Sequence, residues 1–361
     1  MSIRVAMIAR STMDTVPGGD VVQIRETARC LGELGIEAVV ISAAEKPVYK
    51  TFDLFHFFNI TRPADILPHV KRINCPYVVT PICIDYAAYD QVSRKGIAGI
   101  ILKTLPAPRM EYFKTVARGI KDKKSFPSFE YLLTGQGNSI RKILHHASGI
   151  LPNQPSEARR LQASYHFNVP INVIPNGIDH SLFQENTGMT RDPNLIICVA
   201  RIEGLKNQLN LIRAVNSSPY RLLLIGNAAP NHTIYAARCR KEAHDNIRFI
   251  PHVSQHELLD YYAHAAVHVL PSFFETTGLS SLEAAAMGCK VVITHKGDAE
   301  AYFGNAAYYC DPADPQSIRE AIDLAVSSPA DPALPGNIRK AYSWQQAALS
   351  TAAVYHKILA R

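Results

Sequence analysis

Residues Val267 to Gly288 read VHVLPSFFETTGLSSLEAAAMG, and the change of pattern inside this stretch decides the fold. The apolar run Val267 to Leu270, closed by Pro271 and Ser272, predicts a short buried strand. From Gly278 onward the apolar residues Leu279, Leu282, Ala286 and Met287 fall at helical spacing. Glu275 is therefore expected in the loop at the carboxyl end of a strand, and Glu283 in the early turns of the helix that follows. Eight helical residues rotate one side chain about 80° from the other. With Glu275 in the loop, both carboxylates can face the crevice above the strand ends, where open α/β sheets take ligands. The N–H groups around Gly278 and Leu279 offer an anion site backed by the helix dipole. Carboxylates accept hydrogen bonds from ribose and sugar hydroxyls. Taken in isolation, the same residues are a capped helix with two solvated glutamates. The rest of the chain shifts the balance.

A chain of 361 residues exceeds what one hydrophobic core usually supports, so two domains are expected. Its composition, 47% apolar and 19% charged, is that of a globular protein. The net charge of +7 favours anionic partners such as nucleotide diphosphates, acidic lipid headgroups or nucleic acid. The seven cysteines are odd in number, scattered and without a C-x-x-C pair, which argues against a disulfide framework or a zinc site. Free thiols suit a reducing cytoplasm. The first strand, Ile3 to Ala9, begins at once and no apolar run nears the roughly 18 residues of a bilayer span. The expected location is cytoplasmic, at most peripheral at the inner face of a membrane.

Strand Ile3 to Ala9 runs into a loop with Pro17, Gly18 and Gly19 before a helix from about Asp20. The glycines allow the backbone to approach a ligand closely, although Asp20 near the helix start would repel an anion. Strands Glu37 to Ser42, Leu54 to Phe58 and Tyr77 to Pro81 follow, with a helical segment near Ala64 to Ile73. Helix Ser139 to Ala147, strand Gly149 to Pro152, helix Ser156 to Tyr165 and strand Asn172 to Ile174 come later, ending in the turn-rich Pro175 to Asp179. The alternation restarts with strands at Leu195 to Ala200, Leu222 to Ile225, Ile247 to Ile250, Val267 to Leu270, Lys290 to Thr294 and Ala307 to Cys310. A Pro-rich loop then precedes a last helix from about Ser343 to Leu359. This predicts an α/β protein of two Rossmann-like, doubly wound parallel-sheet domains facing across a cleft. The domains are expected at 1–182, with helix 343–361 crossing back to it, and at 183–342.

Between Asp85 and Asn138 the chain is rich in cations. Arg94, Lys95, Lys103, Arg109, Lys114, Arg118, Lys121, Lys123 and Lys124 stand against Glu111 and Asp122, with apolar residues between them. Solvated helix faces around a small core account for such a pattern; so does a basic, apolar lip resting on an anionic membrane through 94–124. No nucleic-acid motif accompanies the charge, so nucleic acid is not an expected partner. After strand Leu195 to Ala200 comes Arg201-Ile202-Glu203-Gly204-Leu205-Lys206-Asn207. Arg201 and Lys206 across a tight loop can converge on one anion, the guanidinium as a fork and the ammonium as a point charge. The sequence holds no Asp-x-Asp to carry a bridging metal, and two fixed cations with a helix N-terminus could stabilise a departing diphosphate instead. Gly297 to Glu300 forms another glycine-bearing loop on the same edge.

Taken together, the chain resembles the family-4 retaining glycosyltransferases of the GT-B fold over most of its length. Gly18-Gly19 is similar to their N-terminal glycine loop, and Asp53 to His56 to their D-x-x-H strand. Pro175 to Asp179 is similar to P-N-G-V-D, and Arg201 with Lys206 to their diphosphate-binding pair. Pro271, Ser272 and Glu275 to Glu283 resemble P-S-x-x-E-x-F-G-x-x-x-x-E, with Thr277 at the usual Phe. Gly297 to Glu300 and Ser343-Trp344 resemble the segments that follow. The resemblance implies a hexosyltransferase that moves a sugar from a nucleotide-diphosphate donor to a hydroxyl of a glycan or lipid-linked saccharide, with retention and no metal or other cofactor. It implies catalytic roles for Arg201, Lys206 and Glu275. Donor contacts are implied for Gly18, Gly19, Thr277, Gly278, Leu279 and Glu283. The family's histidine after the fourth strand is missing from Thr80 to Asp85: either Asp85 or a residue of the basic insert takes that place, or no side chain is needed there, and Asp85 and His56 are the acceptor-side candidates. The rival readings are a GT-B nucleotide-sugar epimerase or hydrolase, and a non-catalytic nucleotide-sugar or membrane-surface binding protein.

Overall fold

A computed structural model describes residues 3–86, 89, 107–121, 127–185 and 189–360. Two compact units divide it. The first comprises Met1–Cys83, Arg94–Asn176 and Trp344–Arg361, and the second Ile84–Ser93 and Gly177–Ser343. Residues 177–182 thus group with the second unit, as do the described residues of 84–93, a partition that only through-space contacts reveal.

The first unit is built on β1 (Arg4–Ala9), β2 (Glu37–Ser42), β3 (Leu54–Phe58), β4 (Tyr77–Thr80) and β5 (Gly149–Ile150). They form a sheet of order β2-β1-β3-β4-β5, parallel at every pairing. Buried on both faces, β1 and β3 read as continuous apolar runs, as parallel strands do. Helices α1 (Gly19–Glu33), α2 (Pro63–Val70), α3 (Ala107–Lys121), α4 (Phe129–His146) and α5 (Pro155–Tyr165) accompany them. Asn172 to Ile174 is not a strand: it runs extended beside β5, with one bridge at Ile171 and single hydrogen bonds to Ile150 and Pro152. Helix α4 starts ten residues earlier than the periodicity of Ser139 to Ala147 implied, because two helical pieces join across Gly135 at φ 71°. In the basic segment, Arg94, Lys95, Lys103, Lys123 and Lys124 lie outside the described residues, whereas Arg109 and Lys114 are on α3.

The second unit carries β6 (Asp192–Val199), β7 (Arg221–Ile225), β8 (Ile247–Ile250), β9 (Ala265–Leu270), β10 (Lys290–Thr294) and β11 (Tyr308–Cys310). Their order is β11-β10-β9-β6-β7-β8, again parallel throughout. Counted within the unit this is the doubly wound order 3-2-1-4-5-6, whose direction reverses between β6 and β9. Helices α6 (Gln208–Val215), α7 (Thr233–Glu242), α8 (Gln255–His264), α9 (Leu279–Ala286), α10 (Glu300–Phe303), α11 (Pro315–Ser327) and α12 (Leu334–Ala341) pack around it. Helix α12 occupies part of the expected Pro-rich loop. Its Pro335 sits in the first turn, where a missing N–H costs no hydrogen bond, so the prolines mark its start rather than forbid it. The last helix, α13 (Trp344–Leu359), belongs to the first unit and packs on α1.

Candidate active site

In the second unit the loops after β6 and β9 meet at the reversal of strand order, where a doubly wound sheet opens a crevice. The first loop carries Arg201 and then a single 3-10 turn, Gly204–Lys206. The second carries Ser272, Glu275, Thr277 and Gly278 ahead of α9. Lys206 Nζ donates to Glu275 Oε2 at 2.7 Å, and Ser272 Oγ donates to the same oxygen at 3.0 Å. Arg201 is turned instead to Glu203, its guanidinium 3.0 Å from Oε1. The two cations therefore share a loop but rest on different carboxylates. The Lys206 side chain keeps 21% of its surface and that of Arg201 36%, so both charges stay within reach of a ligand.

The loop after β10 completes the edge. Glu275 and Gly297 form a parallel bridge: Glu275 N–H donates to Lys296 O at 3.1 Å, and Asp298 N–H donates to Glu275 O at 2.8 Å. Gly297 has φ 109°, and a Cβ there would lie 2.1 Å from the Glu275 carbonyl oxygen. Only glycine allows that approach. At the helix start Gly278 is left-handed, φ 70° and ψ 57°, and hands over to Leu279. The first N–H groups of a helix have no intrahelical acceptor, so Leu279 presents its own toward any anion at this end. Thr277, 2% exposed, points its hydroxyl toward Tyr302 Oη at 3.4 Å, a polar solution at the position where the resembling family carries Phe.

Glu283 is buried in α9 and accepts a hydrogen bond from Tyr262 Oη at 3.0 Å. Burial pushes its carboxyl up to about 7, against the opposing hydrogen bonds of Tyr262 and Gln255. His268, on β9, accepts from Val199 N–H through Nε2, which leaves Nδ1 to donate to Ser281 Oγ at 3.2 Å. Tyr262 and the His268–Ser281 pair carried no signal in the sequence, and neither did the bonds that Ser272 and Asn207 make, since each partner lies several residues or a strand away.

The first unit arranges its strand ends differently. Gly18 caps α1 in extended conformation, and Gly19 is its first residue. Asp20 does not stand alone: it is ion-paired with Arg10, whose guanidinium also donates to Thr12 and Val16. His56 is 1% exposed, with Nδ1 2.6 Å from Tyr355 Oη and Nε2 2.7 Å from Thr80 Oγ1. Burial lowers its pKa to about 3. His56 is thus a buried residue with both ring nitrogens hydrogen-bonded inside the first unit. A cavity of about 10 Å³, lined by Gln23, Thr27, His56, Thr80 and Thr351 among others, is the space left beside it, room for about one water. Asp85 is exposed, in a segment without regular secondary structure that groups with the second unit. Among the described residues no cluster of three or more His, Cys, Asp or Glu is arranged to hold a metal ion.

The family of "Glycosyl transferases group 1" matches residues 181–342. That match spans nearly all of the second unit, Gly177–Ser343. MMP alpha-(1->4)-mannosyltransferase of Mycolicibacterium hassiacum is 29% identical over 204 residues, covering 53% of this chain and 49% of its own. The chain spans about half the length of the relatives it matches. Sucrose-phosphate synthase from Thermosynechococcus elongatus has a TM-score of 0.75 at 17% identity, covering 99% of both chains. HepE of Anabaena, solved in complex with UDP and glucose, has a TM-score of 0.68 at 13% identity, covering 98% of this chain and 99% of its own. Likeness at that identity establishes the fold, two Rossmann-like α/β domains of the GT-B type.

Proposed function

We propose that this chain is a retaining glycosyltransferase that moves a hexosyl group from a nucleoside-diphosphate sugar to a hydroxyl of a glycan or lipid-linked saccharide, without a metal. The observation that carries this reading is the Lys206–Glu275 pair at the β6/β9 reversal, beside the open N-terminus at Gly278 and Leu279. HepE of Anabaena, with UDP and glucose bound, supports a nucleotide sugar as donor. In this reading the second unit holds the donor and the first unit, with α13, serves the acceptor. Lys206 and Arg201 turn from their carboxylates to the diphosphate, whose negative charge grows as the bond from the sugar carbon to phosphate oxygen breaks. The acceptor oxygen forms the new bond to that carbon from the same face, and its proton passes to the departing phosphate oxygen. Glu275 orients donor hydroxyls and Glu283 the ribose. Asp85 remains the acceptor-side candidate. All seven cysteines are free thiols, which suits a reducing cytoplasm.

The test is the thermal midpoint of the purified protein with UDP, GDP, ADP, CMP and dTDP, EDTA present throughout. One nucleoside diphosphate at about a hundredfold excess over its Kd should add ~2.7 kcal/mol of stability and raise the midpoint by several degrees. No shift with any of the five would overturn the donor site.

For the acceptor we propose a lipid-linked molecule at an anionic membrane surface. Phe113 on α3 and Phe129 and Leu133 on α4 are 54%, 75% and 72% exposed, with Arg109 and Lys114 on α3. No helix among the described residues is long and apolar enough to cross a membrane. Co-sedimentation with phosphatidylglycerol vesicles, lost in Phe129→Ser/Leu133→Ser, checks this; equal recovery with phosphatidylcholine vesicles and with the variant would refute it.

A further inference from the structure

Asn207 follows Lys206 directly and stands in the left-handed region, φ 60° and ψ 33°, closing the 3-10 turn Gly204–Lys206 and opening α6. Asparagine is among the few non-glycine residues that tolerate this backbone. Its side chain is not idle there. The residue is 3% exposed, and Nδ2 donates to Pro271 O at 3.0 Å and to Pro312 O at 2.6 Å. Pro271 is the first residue after β9, at the start of the loop that carries Ser272 and Glu275; Pro312 follows β11. One amide nitrogen thus ties three strand-end loops together. Asp offers no such donor at neutral pH and Ser or Thr offers one hydrogen, whereas a carboxamide supplies two in a fixed plane.

The consequence falls on Lys206. A lysine ammonium is a compact charge on a flexible four-carbon stem, so its placement depends on where the backbone starts it. That backbone is pinned on both sides. Before it, Leu205 O accepts from Phe273 N–H at 2.9 Å; after it stands the Asn207 clamp. We propose that Asn207 is a positioning residue for diphosphate binding: it registers Lys206 against the Glu275 loop so that the ammonium and the α9 N-terminus address one anion. This rests on the donor-site reading above and names a group outside the motif residues of that reading. Asn210 provides an internal control, since it also donates to Pro312 O, at 2.9 Å, with no bond to Pro271.

Titration calorimetry with UDP and GDP tests it on the full chain, comparing wild type, Lys206→Ala, Asn207→Gly, Lys206→Ala/Asn207→Gly and Asn210→Ala. Glycine keeps the left-handed backbone and removes the clamp. Expected are a thermal midpoint within a few degrees of wild type, an affinity about tenfold weaker in Asn207→Gly, and wild-type affinity in Asn210→Ala. The double variant should bind like Lys206→Ala, because the asparagine acts through the lysine. Wild-type affinity in Asn207→Gly, or losses that simply add in the double variant, would overturn the proposal while leaving the donor site intact. Undiminished binding in Lys206→Ala, or no binding by wild type, would remove the donor site and this proposal with it. If glycine prevents folding, Asn207→Asp, which keeps the shape and loses the donors, takes its place. Failure of both to fold would make Asn207 a folding residue and end the proposal.

Discussion

The chain contains the same topological address twice, and fills it in opposite ways. In the first sheet strand order reverses between β1 and β3; in the second it reverses between β6 and β9. Around the first reversal the loops bond to one another. Arg10 pairs with Asp20, Ser11 N–H donates to Asp65 at 3.0 Å, and Arg62 donates to Thr12 Oγ1 at 3.1 Å. The Arg10 side chain keeps 7% of its surface. Around the second, Arg201 and Lys206 meet carboxylates as well, yet keep 36% and 21%. A more deeply buried ion pair is held by its own low-dielectric surroundings, and a partly exposed cation exchanges partners at less cost. Topology supplies a crevice in both sheets; the charge left within reach of a ligand distinguishes them.

Substituting one cation in each crevice should separate function from stability. Lys206→Ala should lower glycosyl transfer about a hundredfold to a thousandfold while costing less stability than Arg10→Ala, since Ser272 Oγ still donates to Glu275. Retained turnover would show that the second crevice is not the donor site. Arg10→Ala should do the reverse, costing ~3 kcal/mol in a denaturant titration because Asp20 and the Val16 carbonyl lose a buried partner. Stability unchanged with activity lost would mean that Arg10 belongs to a working site and the contrast fails.

The smallest effect is a dependence on pH. Glu283 holds its proton more tightly in the fold, at about 7, than in the unfolded chain, near 4.5. Its contribution to stability is therefore full below about pH 4.5 and is lost as pH rises through about 7. The difference between the ends of that window is at most ~3 kcal/mol. Glu283→Gln should flatten the fall of the midpoint between pH 5 and 8, and an unaltered slope would place the titrating group elsewhere. His56 and His268 work in the other sense. Burial lowers both to about 3, so the stability they confer is present above about pH 6.5 and drains as pH falls.

Much of this was legible in local pattern. The strands β1, β4, β9 and β10 announced themselves as apolar runs, since a parallel strand buried on both faces needs little else. The glutamates of the opening stretch fell where expected, one in the loop and one in the helix. Segments whose residues contradict their structure were missed. Helix Leu334–Ala341 begins in a proline cluster, and Phe129–His146 carries a left-handed glycine inside it. His56 became a candidate through the likeness of Asp53 to His56 to a D-x-x-H strand. Tyr355, almost the whole chain away, turns it into core.

The sequence by itself determined the order of elements, the doubly wound class and the motif positions, because those follow from periodicities of two and 3.6 residues and from turn chemistry within a few residues. Tertiary structure alone decided what each charge meets. Arg201 turns to Glu203 two residues on, whereas Lys206 crosses 69 residues to Glu275 and Asn207 crosses 105 to Pro312. Those partners are set by which strands lie side by side, and in a parallel sheet neighbours in space are joined through long crossovers that leave no local trace of the pairing.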